Sequence, residues 1–397
     1  TRLPAKLKRD LSSKHARLFT IDATKIAREL GLGNRINTIL QAAFFQLTRI
    51  IPIDMAVEEM KRGNYNSYFK KGGQEIVDLN NRAVDAGLTG MTEIPVPASW
   101  AGAQDAPEGV QAGTAFVKEI VVPMDRQQGD KLPVSVFKKH NCLDGTWENG
   151  TTAYSKRGVA VTVPKWNPEV CAQCNRCAMA CPHAAIRPVL LNQEERALAP
   201  ESFRTVPAKG LGKEVPQYFF RIQVSPYDCL GCGVCLTACP VQGALEMAPF
   251  ESQKDQQANF DAYAINEDLL KPEVISGKSV KAAQFAKPYF QFSAACAGCA
   301  ETTYIKLVTQ LFGSRMYVAN ASGCSSAYGG AMPMTPYSCD KRGFGPSWEQ
   351  SLFEDNAEFA YGFLRAHEAV HGEVMNRLRS LQEKGIAPEA VSAYLEK

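Results

Sequence analysis

Residues 171–188 read CAQCNRCAMACPHAAIRP, and residues 229–244 read CLGCGVCLTACPVQGA. Each stretch has the spacing C-x2-C-x2-C-x3-C-P, so four cysteines and a proline recur in the same order within one chain. Thiolates at such short, regular intervals are typical of metal ligands rather than of core residues. The cysteines are Cys171, Cys174, Cys177, Cys181, Cys229, Cys232, Cys235 and Cys239.

A structural zinc site is the alternative interpretation of any C-x2-C pair. Zinc takes four ligands as two separated pairs, which gives no reason for three evenly spaced cysteines, a fourth and a proline. The run is instead typical of bacterial two-cluster ferredoxins, in which each fourth cysteine ligates the other cluster. The sequence therefore predicts two [4Fe-4S] clusters.

The crossover makes the two halves interdependent, because neither can complete a cluster site alone. A β-rich stretch ending in proline precedes each loop, at residues 160–164 and 220–226, which indicates an internal repeat with an approximate two-fold. The polar insert at 191–217 predicts a surface loop. The two predicted ligand sets are Cys171, Cys174, Cys177 and Cys239, and Cys229, Cys232, Cys235 and Cys181.

Composition places the chain among globular proteins of two to four domains, with 397 residues, 45% hydrophobic and 21% charged. A net charge of +3 gives no reason to expect nucleic acid. Eight of the thirteen cysteines lie in the repeat, which favours a reducing compartment, the cytoplasm or the matrix of an anaerobic organelle. The most apolar stretch, 39–53, is interrupted by polar residues and Pro52, so no membrane contact is expected. Because the chain begins with Thr1, a processed or truncated N-terminus is expected.

Residues 20–90 are predicted to be helical. Asp22 or Thr24 can cap a helix that ends at Gly31, a second helix runs over 37–50, and two more are expected to end at Gly63 and Gly87. Residues 91–165 are rich in proline, and the runs 116–122 and 132–137 predict short strands of a small linking domain.

The C-terminal part, 347–384, is predicted to be mostly helical. Its expected core positions are Phe353, Phe359, Phe363 and Leu364.

A further group of three cysteines follows the repeat: Cys296 and Cys299 in a C-x2-C pair, then Cys324. From the residues alone this is a cluster or a zinc site that lacks a fourth ligand. Cys339 is either that ligand or a free buried thiol. Cys142 has no cysteine neighbour and is expected to be a buried hydrophobe.

Two other motifs are set aside. His367-Glu368-Ala369-Val370-His371 matches H-E-x-x-H, but a polar helix face produces this pattern by chance. The residues 277–279 resemble the end of a P-loop, yet the required upstream glycine is Pro272, and no G-x-G-x-x-G fingerprint follows a candidate strand.

In combination, motifs along nearly the whole chain resemble pyruvate:ferredoxin oxidoreductase, a single-chain, thiamine-diphosphate-dependent family. They are Gly33-Asn34-Arg35-Ile36-Asn37, Gly129-Asp130-Lys131-Leu132-Pro133, the cysteine repeat with 181–188, residues 296–304, Gly323-Cys324-Ser325-Ser326, and residues 351–358.

The resemblance implies an α/β multidomain protein, of which this chain is a central slice. It would comprise the C-terminal part of a gamma-type α/β domain (1–110), a small linking domain (111–152), a bacterial 2[4Fe-4S] ferredoxin-like α+β domain (153–270) and the N-terminal part of a thiamine-diphosphate-binding α/β domain (271–397).

The resemblance also implies three [4Fe-4S] clusters, with Cys296, Cys299 and Cys324 as ligands of the third and a fourth cysteine from farther downstream. Glu301 and Cys324 would lie against thiamine diphosphate with Mg2+, whose site is mostly outside this chain. The sequence departs from the family pattern at Ala294, Ala300 and Thr303.

The implied activity is reversible oxidative decarboxylation of pyruvate to acetyl-CoA and CO2, in a homodimer that passes single electrons to ferredoxin or flavodoxin. Two alternatives stay open at this point: an iron-sulfur electron-transfer subunit without its own catalysis, and a fusion whose final acceptor is NADP.

Overall fold

The computed structural model describes residues 3–33, 35–104, 112–209, 217–271, 279–330 and 333–396. The chain divides into two compact units, residues 1–111 and residues 112–397. The P-loop-like residues 277 and 278, with Pro272, lie outside the described residues.

The first unit is built from helices with one small sheet. Strands β1 (Leu18–Thr20) and β2 (Thr92–Ile94) pair antiparallel. The Asp22 carboxylate accepts from the Lys25 N–H at 2.9 Å, so Asp22 is the cap of the second helix. The helices are α1 (Ala5–Ser13), α2 (Ala23–Glu29), α3 (Asn37–Thr48) and α4 (Ile53–Thr89), with a 3-10 turn at Ala98–Gly102.

The predicted helix ends at Gly63 and Gly87 are wrong. α4 runs through both, and its only non-helical backbone is at Gly73, whose φ of 67° suits glycine because it has no Cβ. Gly87 has a packing role, since a Cβ there would collide with the Ile39 carbonyl oxygen of α3. The missing side chain therefore lets α3 and α4 approach closely, and their contact buries Ile39 and Ala83.

The second unit opens with a region that was predicted to contain strands but is helical. Phe116, Val117, Ile120 and Val121 are all buried on one face, a helical spacing rather than a strand alternation. Pro133 lies just before one helix of this region, where its missing N–H costs nothing. The elements are a π-turn at Val117–Val121, α5 (Val122–Asp125), α6 (Val134–Lys139) and 3-10 turns at Gly129–Lys131 and Thr151–Tyr154.

The cysteine repeat folds as two interlocked halves. β3 (Thr162–Trp166) pairs antiparallel with β7 (Leu245–Pro249), and β4 (Ile186–Leu191) pairs antiparallel with β6 (Phe219–Val224). The first strand of each half thus pairs with the last strand of the other. The cysteine loops lead into two short helices, α7 (Arg176–Ala180) and α9 (Val234–Thr237).

Matching backbone bonds tie the halves together. Asn167 N–H donates to Ala244 at 3.0 Å, and Ser225 N–H donates to Ala185 at 2.8 Å. Asn167 and Ser225 each stand four residues before the first cysteine of their loop. The two copies of the sequence repeat therefore make equivalent hydrogen bonds to each other in the fold.

The insert between the halves is more regular than the predicted surface loop. β5 (Val206–Pro207) adds to β6 as the third strand of a sheet ordered β4-β6-β5. α8 (Gln193–Leu198) begins with a capping box of Asn192 and Glu195. Residues 210–216 of the insert lie outside the described residues.

The C-terminal region begins after the repeat with short helical segments and ends in long helices. β8 (Tyr317–Asn320) pairs parallel with β9 (Ser347–Gln350), so the stretch 347–384, which is mostly helical as predicted, begins with a short strand. The helices are α10 (Phe250–Gln253), α11 (Gln256–Asn259), α12 (Val280–Ala283), α13 (Ala300–Phe312), α14 (Cys324–Gly330), α15 (Asn356–Glu383) and α16 (Pro388–Leu395), with a π-turn at Phe260–Ala264 and 3-10 turns at Glu267–Leu269 and Gly313–Arg315.

The core positions predicted within residues 347–384 are wrong. α15 has no buried residue, Phe353 and Leu364 are exposed, and Phe359 and Phe363 are half-buried against each other. An apolar helix stripe predicts a core only where another element covers it. Separately, within the described residues no helix is long and apolar enough to cross a bilayer.

Candidate functional site

The two cysteine loops share one backbone course. The N–H of Gln173 lies 3.4 Å from the Cys171 Sγ, and the N–H of Gly231 lies 3.4 Å from the Cys229 Sγ. Both donors have left-handed φ angles, 55° and 68°. A turn of this kind directs an amide N–H at the sulfur, which stabilises negative charge there.

The first loop achieves this turn without glycine. Gln173 and Asn175 both have positive φ, and their side chains are buried. The Gln173 amide donates to the Pro207 carbonyl at 2.9 Å and accepts from the Lys209 N–H at 2.8 Å, while Asn175 donates to the Lys281 carbonyl at 2.9 Å. These bonds offset the cost of a left-handed backbone for residues with a Cβ.

One cavity gathers cysteines from both loops. Cys171, Cys174 and Cys177 line it together with Cys239, and the apolar side chains of Trp166, Ile222 and Leu245 close it. The β3–β7 pairing brings the end of the second loop to the first. The structure thus brings the first predicted ligand set around one space.

The pKa values of the buried thiols show which cysteines of the second predicted ligand set are neighbours. Burial raises the pKa of Cys229 to about 12, and the nearby Cys181 and Cys232 add to the rise. Burial also raises the pKa of Cys235, with Cys181 as the next cause. Cys181 of the first half is therefore a close neighbour of the second loop.

Burial raises the pKa of Cys177 to about 12 as well, with Cys171, Cys174 and Cys239 adding to the effect. Such thiols stay protonated unless a cation replaces the protons. The donor chemistry therefore fits iron bound by sulfur, because iron both neutralises the thiolates and fills the space between them.

A single-ion site is not present among the residues that the structure describes: no three His, Cys, Asp or Glu side chains are grouped to hold one metal ion. One ion needs all its ligands within bonding distance of one point, whereas a cluster holds its thiolates farther apart.

The C-x2-C pair of the third cysteine group lies close to the second loop. Gly298, between Cys296 and Cys299, has φ 80°, and a Cβ there would lie 3.7 Å from the Cys232 Cβ and 3.5 Å from the Val234 Cγ2. Cys296 and Cys324 are exposed, and Cys299 is half-buried. The C-x2-C pair therefore contacts the second half of the repeat.

Glu301 and Cys324 are linked through one tyrosine. Tyr328 lies one helical turn after Cys324 in α14. Burial raises the pKa of Tyr328, and the neighbouring Glu301 and then Cys299 add to that rise. Cys299 packs against the same apolar cluster as Tyr328. Glu301, Cys299 and the α14 helix therefore form one neighbourhood.

The remaining cysteines differ from expectation in one case. Cys339 is exposed, so the alternative of a free buried thiol is wrong. Cys142 is half-buried and packs with apolar residues, in line with its predicted role. In the H-E-x-x-H motif Glu368 pairs with Arg365, and the His367 and His371 ring centroids lie 6.4 Å apart.

Sequence reasoning missed two buried polar residues near the cysteines. His183 is 2% exposed, and burial lowers its pKa to about 4. Lys306 is 2% exposed, and burial lowers its pKa to about 8. The sequence offered no signal for Lys306, because the polar stripe of Thr302, Lys306 and Thr309 on α13 predicts a solvent-facing side, yet all three are buried.

Comparison with known proteins gives three family matches. Residues 1–90 match the pyruvate ferredoxin/flavodoxin oxidoreductase family, residues 102–160 match a domain of unknown function, and residues 170–244 match the 4Fe-4S dicluster domain. The last match covers both cysteine loops.

Curated relatives resemble nearly the whole chain. It is 46% identical to the pyruvate-flavodoxin oxidoreductase of Enterobacter agglomerans, over 96% of this chain and 32% of the relative. It is 48% identical to the pyruvate:ferredoxin oxidoreductase of Moorella thermoacetica, over 92% of this chain and 31% of the relative. It is 42% identical to the mitochondrial pyruvate dehydrogenase [NADP(+)] of Euglena gracilis, over 99% of this chain and 21% of the relative.

The chain is thus a homologue of pyruvate:ferredoxin and pyruvate-flavodoxin oxidoreductases and carries a 4Fe-4S dicluster domain. It spans about a third of the length of the first two relatives.

Proposed function

We propose that this chain conducts electrons within an enzyme that oxidises pyruvate, in the presence of coenzyme A, to acetyl-CoA and CO2, a reaction that can also run as pyruvate synthesis. The observation that carries the proposal is the contact of Gly298 with Cys232, because it joins the third cysteine group to the dicluster repeat. Electron transfer requires redox centres that are close together, and this contact supports one continuous route.

The proposed ligands of two clusters are the crossed sets, Cys171, Cys174, Cys177 and Cys239, and Cys229, Cys232, Cys235 and Cys181. Cys296, Cys299 and Cys324 would hold a third cluster with one further ligand from outside this chain. When bound, such clusters accept and release one electron at a time. Which cysteines ligate stays a prediction.

The protein's own residues have positioning roles. The N–H groups of Gln173 and Gly231 point at ligand sulfurs, and Gly298 allows the third group to approach the second loop. Trp166 and Ile222 limit water near the first set. Burial and N–H···S bonds are the main ways in which a protein controls the reduction potential of a cluster. These groups would therefore set the relative potentials of the clusters along the electron route.

Thiamine diphosphate with Mg2+ is proposed as the cofactor of the carbon chemistry, with Glu301 and Cys324 on its border and most of its site elsewhere. Glu301 fits such a role, since it is an exposed carboxylate in the first turn of α13, next to Tyr328. The thiamine ring would supply stabilisation of the carbanion formed on decarboxylation.

We propose the domain order predicted from the sequence: gamma-type (1–110), linking (111–152), ferredoxin-like (153–270) and thiamine-binding (271–397). The division at residue 111 and the two family matches within 1–90 and 170–244 support it. A homodimer and a cytoplasmic or organellar location remain part of this proposal.

The proposed electron acceptor is ferredoxin or flavodoxin, the partners in the names of the Moorella and Enterobacter relatives. NADP is the second candidate, because the Euglena relative is named for it and matches 99% of this chain. Reduction of each acceptor by the loaded protein, followed by absorbance, distinguishes them.

The test is anaerobic electron paramagnetic resonance of the natively purified protein, with pyruvate and coenzyme A or with dithionite as reductant. Cluster signals after both treatments are expected. Signals with dithionite alone would contradict the enzyme assignment and favour an electron-transfer subunit. An absence of signals with dithionite would contradict the clusters themselves.

A further inference from the structure

A lysine from α13 is buried against the first cysteine loop. Lys306 is 2% exposed, and its ammonium group lies at the C-terminal end of α7. It donates to the carbonyl oxygens of Ala178, of Met179 at 2.8 Å and of Cys181 at 3.0 Å. Thr303, one turn earlier, also donates to this region, at Ala180.

The hydrogen bonds indicate that Lys306 carries its charge. All three partners are carbonyl oxygens, which only accept, and a protonated lysine has three N–H donors. A neutral amine would turn a lone pair towards one carbonyl oxygen, which repels it. The ammonium form is therefore the one that satisfies every contact.

The charge of Lys306 has no carboxylate partner among the residues that the structure describes, where its recorded contacts are the three carbonyls. A buried cation without a counter-charge is costly. The other buried cation near Cys181 is Arg187, whose charge Asp228 partly offsets. Lys306 therefore needs an anion from another source.

Lys306 donates to the carbonyl oxygen of Cys181 itself and to that of Ala178, the residue directly after Cys177, so the nearest ligand cysteines along the chain are Cys181 and Cys177. These belong to different predicted ligand sets, because the chain crosses over between them. A [4Fe-4S] cluster with four thiolates carries net negative charge, and each reduction adds one more. The lysine thus lies where both clusters would place negative charge.

We propose that Lys306 is the shared counter-ion of the two clusters of the dicluster repeat and raises the reduction potential of both. The proposal rests on the clusters of the proposed function but not on pyruvate chemistry. No bond is formed or broken in this role: the cluster gains one electron from the donor, and Lys306 keeps its proton and its hydrogen bonds.

The test compares three variants of the loaded protein with the wild type. Lys306→Gln removes the charge, Lys306→Arg keeps it, and Lys281→Gln is the matched control. Lys281 is half-exposed and donates to the Lys209 carbonyl at 2.5 Å, and the cysteines that affect its pKa are Cys174 and Cys171, both of the first set. Each protein is titrated with dithionite at controlled potentials and read by electron paramagnetic resonance, with iron and sulfide measured.

We expect the Lys306→Gln protein to keep its iron and to show lower reduction potentials for both clusters. At a fixed potential the ratio of reduced to oxidised cluster should fall at least tenfold, which corresponds to about 59 mV for one electron. Lys306→Arg should stay near the wild type. Lys281→Gln should lower the reduction potential of the first cluster, by less than Lys306→Gln does, because water screens a half-exposed charge.

Unchanged potentials in an iron-loaded Lys306→Gln protein would overturn the proposal, as would equal shifts in the Gln and Arg variants, since packing rather than charge would then be responsible. If the Gln variant takes up no iron, the Arg variant decides: loading with wild-type potentials supports a required charge, and failure to load refutes it. Wild-type protein that binds no clusters would instead refute the proposed function.

Discussion

Gly298 of the third cysteine group faces Cys232 of the second ferredoxin-type loop: a Cβ on Gly298 would lie 3.7 Å from the Cβ of Cys232, within van der Waals contact. The φ angle of Gly298 is 80°, in the region that favours glycine. Two groups of cysteines separated along the chain are therefore brought together at a position where the backbone tolerates little change.

The first prediction concerns this contact. Gly298→Ala has room for a methyl group but forces a left-handed alanine, which costs about 1 kcal/mol. We expect the free energy of unfolding, measured in urea on the loaded protein, to fall by this amount. The control is Gly362→Ala in α15, where nothing lies within 4 Å and alanine favours the helix. Equal stability of the two variants would contradict the strain.

The second prediction tests the crossover. Cys171→Ser and Cys239→Ser should abolish the same cluster signal in electron paramagnetic resonance, because both residues line one cavity. Cys229→Ser and Cys181→Ser should abolish the other signal, since Cys181 neighbours the second loop.

In each of the four variants the magnetic interaction between the two reduced clusters should also disappear, because only one cluster is left. If Cys171→Ser instead matched Cys181→Ser, each loop would hold its own cluster and the crossover would be refuted.

The third prediction concerns the first unit. Gly87→Ala should destabilise it by about 1–3 kcal/mol, because the new Cβ would overlap the Ile39 carbonyl oxygen and approach the Ala42 Cβ at 2.8 Å. Gly63→Ala, in the same helix with nothing within 4 Å, is the matched control and should be neutral or stabilising by up to about 1 kcal/mol. Urea unfolding followed by helical circular dichroism measures both, and a harmless Gly87→Ala would rule out the close approach.

The fourth prediction is a pH dependence. Hydrogen bonds from the Arg342 guanidinium, followed by the N–H groups of Phe344 and Arg342, lower the pKa of Asp340 to about 2. A carboxylate with a depressed folded-state pKa stabilises the fold above its unfolded pKa of about 3.9 and loses this contribution as the pH falls towards 2.

Asp340→Asn should therefore lower the melting temperature near neutral pH, and the difference from the wild type should shrink as the pH falls from about 4 to about 2. Arg342→Gln should also lower the melting temperature near neutral pH, and this loss should likewise shrink as the pH falls. A difference that stays constant over this range would mean that the carboxylate charge is not responsible.

Some structural features followed from local sequence and others did not. The Asp22 cap was predictable, because the cap and its N–H partner are three residues apart. The runs 116–122 and 132–137 were predicted to be short strands, yet their apolar residues recur at helical intervals, and the neighbouring prolines stand at helix starts. The spacing of the apolar residues predicts the secondary structure there better than their residue type does.

The core prediction for α15 failed for a different reason. Leu364 in α15, and Phe353 just before it, are apolar but exposed, because burial depends on which surface lies opposite. Conversely, Lys306 is a charged residue that sequence rules assign to the surface, and α13 turns it inwards to three carbonyl groups. Neither outcome can be read from one helix alone.

The sequence by itself determined the cysteine loops, their two-fold repetition and the sulfur chemistry, because ligands spaced two or three residues apart lie within one turn of chain. The motif also predicted that Cys239 joins the first loop, whereas the approach of Gly298 to Cys232 and the reach of Lys306 to the end of α7 became known only from the tertiary structure. These relationships depend on the pairing of distant strands and the packing of separate helices, where a single residue's position is set by the rest of the fold.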